Sequence, residues 1–246
     1  MAAWMLLTAV FALLWCVGAL PALLLGQSRI WRRLCFGGWA RAALWSSGVR
    51  MRRVGALPEG AGFLVANHQS WLDIPVLAAN FDVVFISMAE LARWPLIGLM
   101  ARAFGTILID RSDKRSLPRV NRDVARALER GERIAFFPEG RITDGREAVS
   151  FRPSLFAVAA DGRQGVACLA LCYATGPGDD PVEESVVWGA RPFLAQAWRL
   201  LRQHRIFVEL CIAAQPARGA DRKRLAQQCE ERVRAAGRAA GRAQKA

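Results

Sequence analysis

Histidine is scarce: only His68 and His204 occur in 246 residues. Six cysteines are present, at 16, 35, 168, 172, 211 and 229, and none forms a Cys-x-x-Cys pair. With so few imidazoles and no paired thiols, a zinc site is not expected, and no other metal is called for. The chain is longer than small disulfide-stapled scaffolds, so the thiols are read as reduced and facing a cytosol. No Gly-x-Ser-x-Gly run occurs, which removes the serine nucleophile elbow from consideration. Acidic residues are outnumbered, with 21 Asp and Glu against 34 Lys and Arg, for a formal net charge of +13. That balance calls for an anionic partner: nucleic acid, a membrane surface or a phosphorylated substrate.

The position of the charge narrows the choice. Residues 1–60 hold seven Arg and one Glu, and residues 218–246 hold nine Lys/Arg and three Asp/Glu, so the body between them is nearly neutral. A nucleic-acid reader would carry its basic stripe on the folded body, so no nucleic acid is expected as a partner. The first 28 residues carry no charge at all, and Ala2–Leu25 is apolar except for Thr8, Gly18 and Pro21. As a helix this run extends about 36 Å, enough to cross a hydrocarbon core. Its basic residues, Arg29, Arg32 and Arg33, come after the run instead of preceding it. That order is not a secretory signal, and it puts the body on the cytoplasmic side of a spanned membrane. In Ile30–Val49, Trp31, Leu34, Cys35, Trp39, Ala42 and Trp45 recur at helical spacing, with arginines on the other side. Such a helix suits the headgroup region. Spanning and one-leaflet attachment both fit the N-terminus.

After Arg53 short apolar runs alternate with helical stretches. Phe63–Ala66, Val83–Met88, Thr106–Ile109, Ile134–Phe137, Val166–Tyr173 and Ile206–Cys211 read as strands. Pro75–Ala79, Arg93–Phe104, Leu117–Arg130 and Ser154–Asp161 read as helices, and Arg232–Ala246 as a fraying helix or solvated end. The pattern predicts an α/β domain, a sheet covered by helices, whose ligands gather beyond the carboxyl ends of strands. Three strand ends there carry ionisable groups: Asn67-His68 through Asp73, Asp110-Arg111, and Pro138-Glu139-Gly140-Arg141. A histidine after a strand, with a carboxylate at the head of the next helix, can form the pair used in general-base catalysis. Taken alone, Asp73 before Ile74-Pro75 reads equally well as a helix cap, and His68 as a structural histidine.

Three blocks in order carry more. Asn67-His68-x-x-x-x-Asp73, then Gly105-Thr106-Ile107-Leu108-Ile109-Asp110-Arg111, then Phe137-Pro138-Glu139-Gly140 resemble the glycerolipid acyltransferase family. Within it the chain is similar to bacterial 1-acylglycerol-3-phosphate acyltransferases and lyso-ornithine lipid acyltransferases, over roughly residues 55–215. The resemblance implies an α/β fold with a central mixed sheet covered by helices. It implies an N-terminal membrane-anchoring segment at 1–53, a catalytic domain at 54–217 and a basic C-terminal helix or tail at 218–246. A fatty acyl group would pass from acyl-CoA or acyl carrier protein to the free hydroxyl of a lysolipid, with no covalent acyl-enzyme and no cofactor. In that reading His68 is the base and Asp73 its orienting partner. Asn67, Gly105, Arg111, Glu139, Gly140 and Arg141 bind the acceptor, and the enzyme sits on the cytoplasmic side of the inner membrane.

The chain also departs from the family pattern. The arginine that usually comes after the Glu-Gly block falls on Ile142, and Arg141 takes a threonine position. A lysine common before Glu90-Leu91 is absent from Ser87-Met88-Ala89, and the proline usual in the fourth block is replaced by Cys168. Thr143-Asp144-Gly145, Phe151–Phe156 and Val187-Trp188-Gly189 are more similar to the lyso-ornithine lipid branch. The expected acceptor is 1-acylglycerol-3-phosphate, with lyso-ornithine lipid as the alternative. A non-catalytic lipid-binding protein of the same fold is a minor one. Of the remaining motifs, His204 reads as an exposed basic turn before a strand and Asp179-Asp180-Pro181 as a loop whose carboxylates have no partner.

Overall fold

The computed structural model describes residues 29–243 apart from 94, 111–116, 141, 143–149, 161 and 189–191. The apolar run Ala2–Leu25, Arg111 and Arg141 lie outside the described residues. In chain order the elements are α1 (Arg29–Ser46), β1 (Val49–Val54), β2 (Ala61–Ala66), α2 (Asp73–Asn80), β3 (Val83–Met88), α3 (Pro95–Ala103) and β4 (Ile107–Ile109). They continue with α4 (Leu117–Glu129), β5 (Arg133–Phe136), β6 (Gly165–Thr175), α5 (Val182–Ser185), α6 (Phe193–Leu201), β7 (Ile206–Ile212) and α7 (Arg222–Ala243). Single 3-10 turns occupy Ala89–Arg93 and Pro153–Val158. The contacts group into two compact units, Met1–Ser46 with Ile74–Phe136, and Ser47–Asp73 with Phe137–Ala246.

In the first unit β3 pairs in parallel with β5 on one side and β4 on the other. Parallel strands need helical crossovers, and α3 and α4 supply them. Along α4, Val120, Val124 and Ala127 are buried at helical spacing. The helix stops where Gly131, at φ 72°, turns the chain so that the Glu132 amide donates to the Ala127 carbonyl. Helix α1 buries Phe36, Ala40 and Leu44, and the Phe36 ring stacks on Phe104 with centroids 4.0 Å apart. Leu34 and Trp45, which their spacing assigns to the apolar face, are exposed. The helix is amphipathic as expected, but a phenylalanine between the tryptophans anchors it. It ends at Ser46, short of the expected Val49, because Gly48 adopts φ 68° and starts the turn into β1.

In the second unit the strand order is β1-β7-β6-β2. β1 runs parallel to β7, β7 antiparallel to β6, and β2 parallel to β6, so the sheet is mixed. β2 is buried at every position, as a strand covered on both faces must be. β1 is absent from the sequence-based strands: it reads VRMRRV, and only Val49 is buried. An edge strand with charged side chains has no apolar run to mark it. The C-terminal segment is more than a fraying end. Leu225, Ala226, Cys229, Val233 and Ala240 of α7 are buried, and Gly237 brings its backbone to the Cys172 thiol of β6. Asp179 also has partners, accepting from the backbone amides of His204 and Arg205 and from His204 Nδ1. Among the described residues no helix is long and apolar enough to cross a membrane.

One packing detail is directly testable. A Cβ on Gly98 of α3 would strike the backbone carbonyl of Ala92. Helix propensity favours alanine there by up to about 1 kcal/mol, but overpacking against an immovable backbone costs about 1–3 kcal/mol. Gly98→Ala is therefore expected to lower the melting temperature in thermal unfolding, and an unchanged or raised value would contradict the packing.

Candidate active site

β2 ends at Ala66, and Asn67 locks the chain at that exit. Its Nδ2 donates to the Leu171 carbonyl at 2.9 Å, and the Leu171 amide donates back to Asn67 Oδ1 at 2.8 Å. This two-way amide pair clamps the end of β2 to the middle of β6, and His68 leaves the sheet from a held point. The loop it enters is pinned again where the Trp188 amide donates to the Gln69 carbonyl. α2 then begins at Asp73, with Pro75 in its first turn, where a missing N–H is tolerated.

The Asp73 carboxylate is fully buried and is surrounded by donors. His68 Nδ1 lies 2.8 Å from Oδ2. The amides of Gln69 and Ser70 donate to the same oxygen at 2.8 and 2.9 Å. The Tyr173 hydroxyl, from β6, donates to Oδ1 at 2.6 Å. Four donors around one buried carboxylate are what such a group needs to stay inside a protein. The bonds to Gln69 and Ser70 run back along the chain and fold the loop around Asp73. A donated Nδ1–H leaves the imidazole lone pair on Nε2. The His68 ring lies flat on Phe137, with centroids 4.0 Å apart and planes 11° apart. The side chain retains 16% exposure, so the ring is held yet reachable.

Phe137 opens the third strand-end block. Its carbonyl accepts from the Gly140 amide at 3.2 Å, closing a turn in which Gly140 has φ 72°. A side chain at that angle would be strained, so glycine is required by geometry. Glu139 is buried within this turn. The turn is fastened by the Arg152 amide on the Pro138 carbonyl at 2.9 Å, and the next amide back, Phe151, donates to Glu230 of α7 at 2.8 Å.

Asn67, His68, Asp73, Glu139 and Gly140 thus fall in one unit, tied together through β6 and Phe137. Gly105 lies in the other unit, in the turn that ends α3. There its φ is 69°, and the Thr106 amide donates to the Ala101 carbonyl. Ile142, where the resemblance leads one to expect an arginine, is half-buried. Two contacts were not foreseen from the sequence: the Phe137 ring beneath His68, although Phe137 opens the third block, and the Tyr173 donor. Tyr173 did leave a signal, being the one tyrosine in the chain beside 12 phenylalanines. Among the described residues no cluster of His, Cys, Asp and Glu gathers as a metal ion would require.

The Acyltransferase family model matches residues 48–173, a span running from β1 through Tyr173. The chain belongs to the Acyltransferase family. It is 32% identical over 204 residues to a 1-acyl-sn-glycerol-3-phosphate acyltransferase of Neisseria gonorrhoeae, covering 82% of this chain and 79% of that one. It is 35% identical over 187 residues to a lyso-ornithine lipid O-acyltransferase of Pseudomonas aeruginosa, covering 76% and 71%. The crystal structure of the 1-acyl-sn-glycerophosphate acyltransferase PlsC from Thermotoga maritima shares the fold. Its TM-score is 0.64 at 16% identity, covering 94% of this chain and 92% of that one. The expected α/β architecture, helices flanking a central sheet, and the expected O-acyltransferase class both stand.

The Asn67 clamp has a measurable consequence. Asn67→Ala removes two hydrogen bonds at the β2–β6 junction and is expected to cost about 1–3 kcal/mol in denaturant unfolding. If the side chain instead served mainly to bind acceptor, stability would hold and the acceptor KM would rise.

Proposed function

We propose that this acyltransferase moves a fatty acyl group from acyl-CoA or acyl carrier protein to the free hydroxyl of a lysolipid, 1-acylglycerol-3-phosphate, giving phosphatidic acid. The observation that carries the reading is the 2.8 Å contact between His68 Nδ1 and a buried Asp73 carboxylate. In this mechanism Asp73 fixes the tautomer, and His68 Nε2 takes the proton of the acceptor hydroxyl as its oxygen attacks the thioester carbonyl. The tetrahedral intermediate collapses by breaking the C–S bond, and the imidazolium returns the proton to the leaving thiolate. Atoms and charge balance without an acyl-enzyme. Glu139 and Gly140 hold the acceptor's glycerol, and Gly105, Arg111 and Arg141 complete the acceptor wall, with the arginines on the anionic headgroup. The uncharged N-terminal run attaches the enzyme to the cytoplasmic face of the inner membrane.

A second acceptor, lyso-ornithine lipid, is favoured by one specific feature. Ile142 stands half-buried where the family's arginine would meet a phosphate, and an apolar side chain offers a phosphate nothing. Relatives named for either activity match this chain at comparable identity.

The test uses purified, detergent-solubilised protein, one labelled acyl thioester, and each lysolipid separately, with wild type beside His68→Ala. Transfer to 1-acylglycerol-3-phosphate is expected, falling by roughly 10²–10⁴-fold in the variant. Transfer only to lyso-ornithine lipid would reassign the acceptor. Full activity in His68→Ala would remove the general-base role, and no transfer with any donor would leave a lipid-binding protein.

A further inference from the structure

Tyr173 has a chemistry that packing does not explain. β6 is apolar and largely buried around it, and phenylalanine, used 12 times in this chain, would fill the same space. A buried hydroxyl is destabilising unless it finds a partner, and this one finds Asp73 Oδ1 at 2.6 Å, a hundred residues away in sequence. The other carboxylate oxygen is taken by His68, Gln69 and Ser70. With donors on both oxygens the carboxylate cannot turn about its own axis, so the direction it presents to His68 is fixed.

We propose that Tyr173 is a positioning residue for the acyl transfer, its hydroxyl fixing the Asp73 carboxylate and drawing off part of its charge, so that it sets both the orientation and the basicity of His68. The inference rests on His68 acting as the base. Burial, with the charge and hydrogen bond of Asp73, holds the phenol pKa well above its usual value, so the proton stays on the oxygen as a donor throughout the working range. The groups whose charge acts on the phenol are Asp73 and Cys172. Asp73 faces it from the start of α2 and holds His68 on its other oxygen, and on β7 Glu209, opposite Cys172 in register, is paired with Arg52. Cys172, adjacent in β6, has its thiol pushed up to about 11 by burial and so stays neutral. A proton-dependent change on altering Tyr173 is therefore read through the Asp73–His68 pair.

The bond dictates the sign. Without the phenol, Asp73 keeps its full charge for His68, stabilises the imidazolium and raises the pH at which the base is freed. With a more acidic phenol, the carboxylate is drained further and that pH falls. Because Tyr173 is the one tyrosine in the chain, growth on 3-fluorotyrosine replaces this position alone. The experiment compares wild type, Tyr173→Phe and the fluorotyrosine protein in kcat, acceptor KM and the pH profile of kcat/KM, with melting temperatures alongside.

Tyr173→Phe is expected to lower kcat roughly ten- to hundredfold, the worth of one hydrogen bond to a charged group. Acceptor KM is expected to hold, and the acidic limb of the profile to move up. The fluorotyrosine protein is expected to move that limb down. A limb that stays put in both proteins, or a kcat loss that tracks only the melting temperature, overturns the proposal. Should Tyr173→Phe fail to fold, the fluorotyrosine protein still decides the matter, since its shape is nearly unchanged. Full activity in His68→Ala would mark failure of the general-base reading itself, whereas an inactive His68→Ala with an unmoved limb would mark failure of this inference alone.

Discussion

A buried carboxylate is the constraint around which this site is organised. Taking an anion out of water is costly by several kcal/mol even after relaxation, and Asp73 sits where no solvent reaches it. Its environment answers with four donors from three sources: an imidazole, two backbone amides and a phenol. Each donor also does something for the architecture. The amides of Gln69 and Ser70 curl the loop that presents His68, the phenol ties that loop to β6, and the imidazole is held in a fixed orientation. Removal of any one would leave the others holding a charge they cannot fully compensate.

The sheet makes that convergence possible. β2 and β6 run parallel and in fixed register, with Ala66 opposite Leu169. The Asn67–Leu171 amide pair then extends the alignment one step past the end of β2. Two residues on along β6, and on the same face by the period-two rule, stands Tyr173. A slip of one residue would turn its hydroxyl to the opposite face and leave Asp73 Oδ1 unpaired. Long-range order in β6 is supported in turn by β7 on one side and α7 above, where Cys229 and Val233 are buried. The distal C-terminal helix thus contributes to the site, and Glu230 of that helix secures the segment carrying Phe151.

The glycines of the second and third sequence blocks answer a different kind of problem. They are dictated by backbone geometry: Gly105 and Gly140 both adopt positive φ, so their presence in the motifs stems from the turns themselves. Their side-chain neighbours are where the chain varies. Ile142 and Ser87-Met88-Ala89 stand where the resemblance leads one to expect an arginine and a lysine.

Much of this was legible in the sequence. The six apolar runs read as strands all form strands, because a buried strand must be apolar on its buried faces. The long amphipathic stretch from Leu117 becomes α4 and ends at its glycine. His68 and Asp73 were marked by the resemblance of three ordered blocks, since their spacing alone reads equally well as a helix cap beside a structural histidine. β1 was not legible, because a basic edge strand has no hydrophobic period and exists only by pairing with β7. Nor were the buried face of α1, chosen by Phe36 finding Phe104, or the Phe137 platform under His68. The sequence by itself determined the buried strands and the ionisable groups that follow their ends, because apolar runs and the turns after them are short-range patterns. Only the tertiary structure decided that Tyr173 would hold Asp73 from across the sheet, because a hydrogen bond between residues so far apart exists solely through strand register.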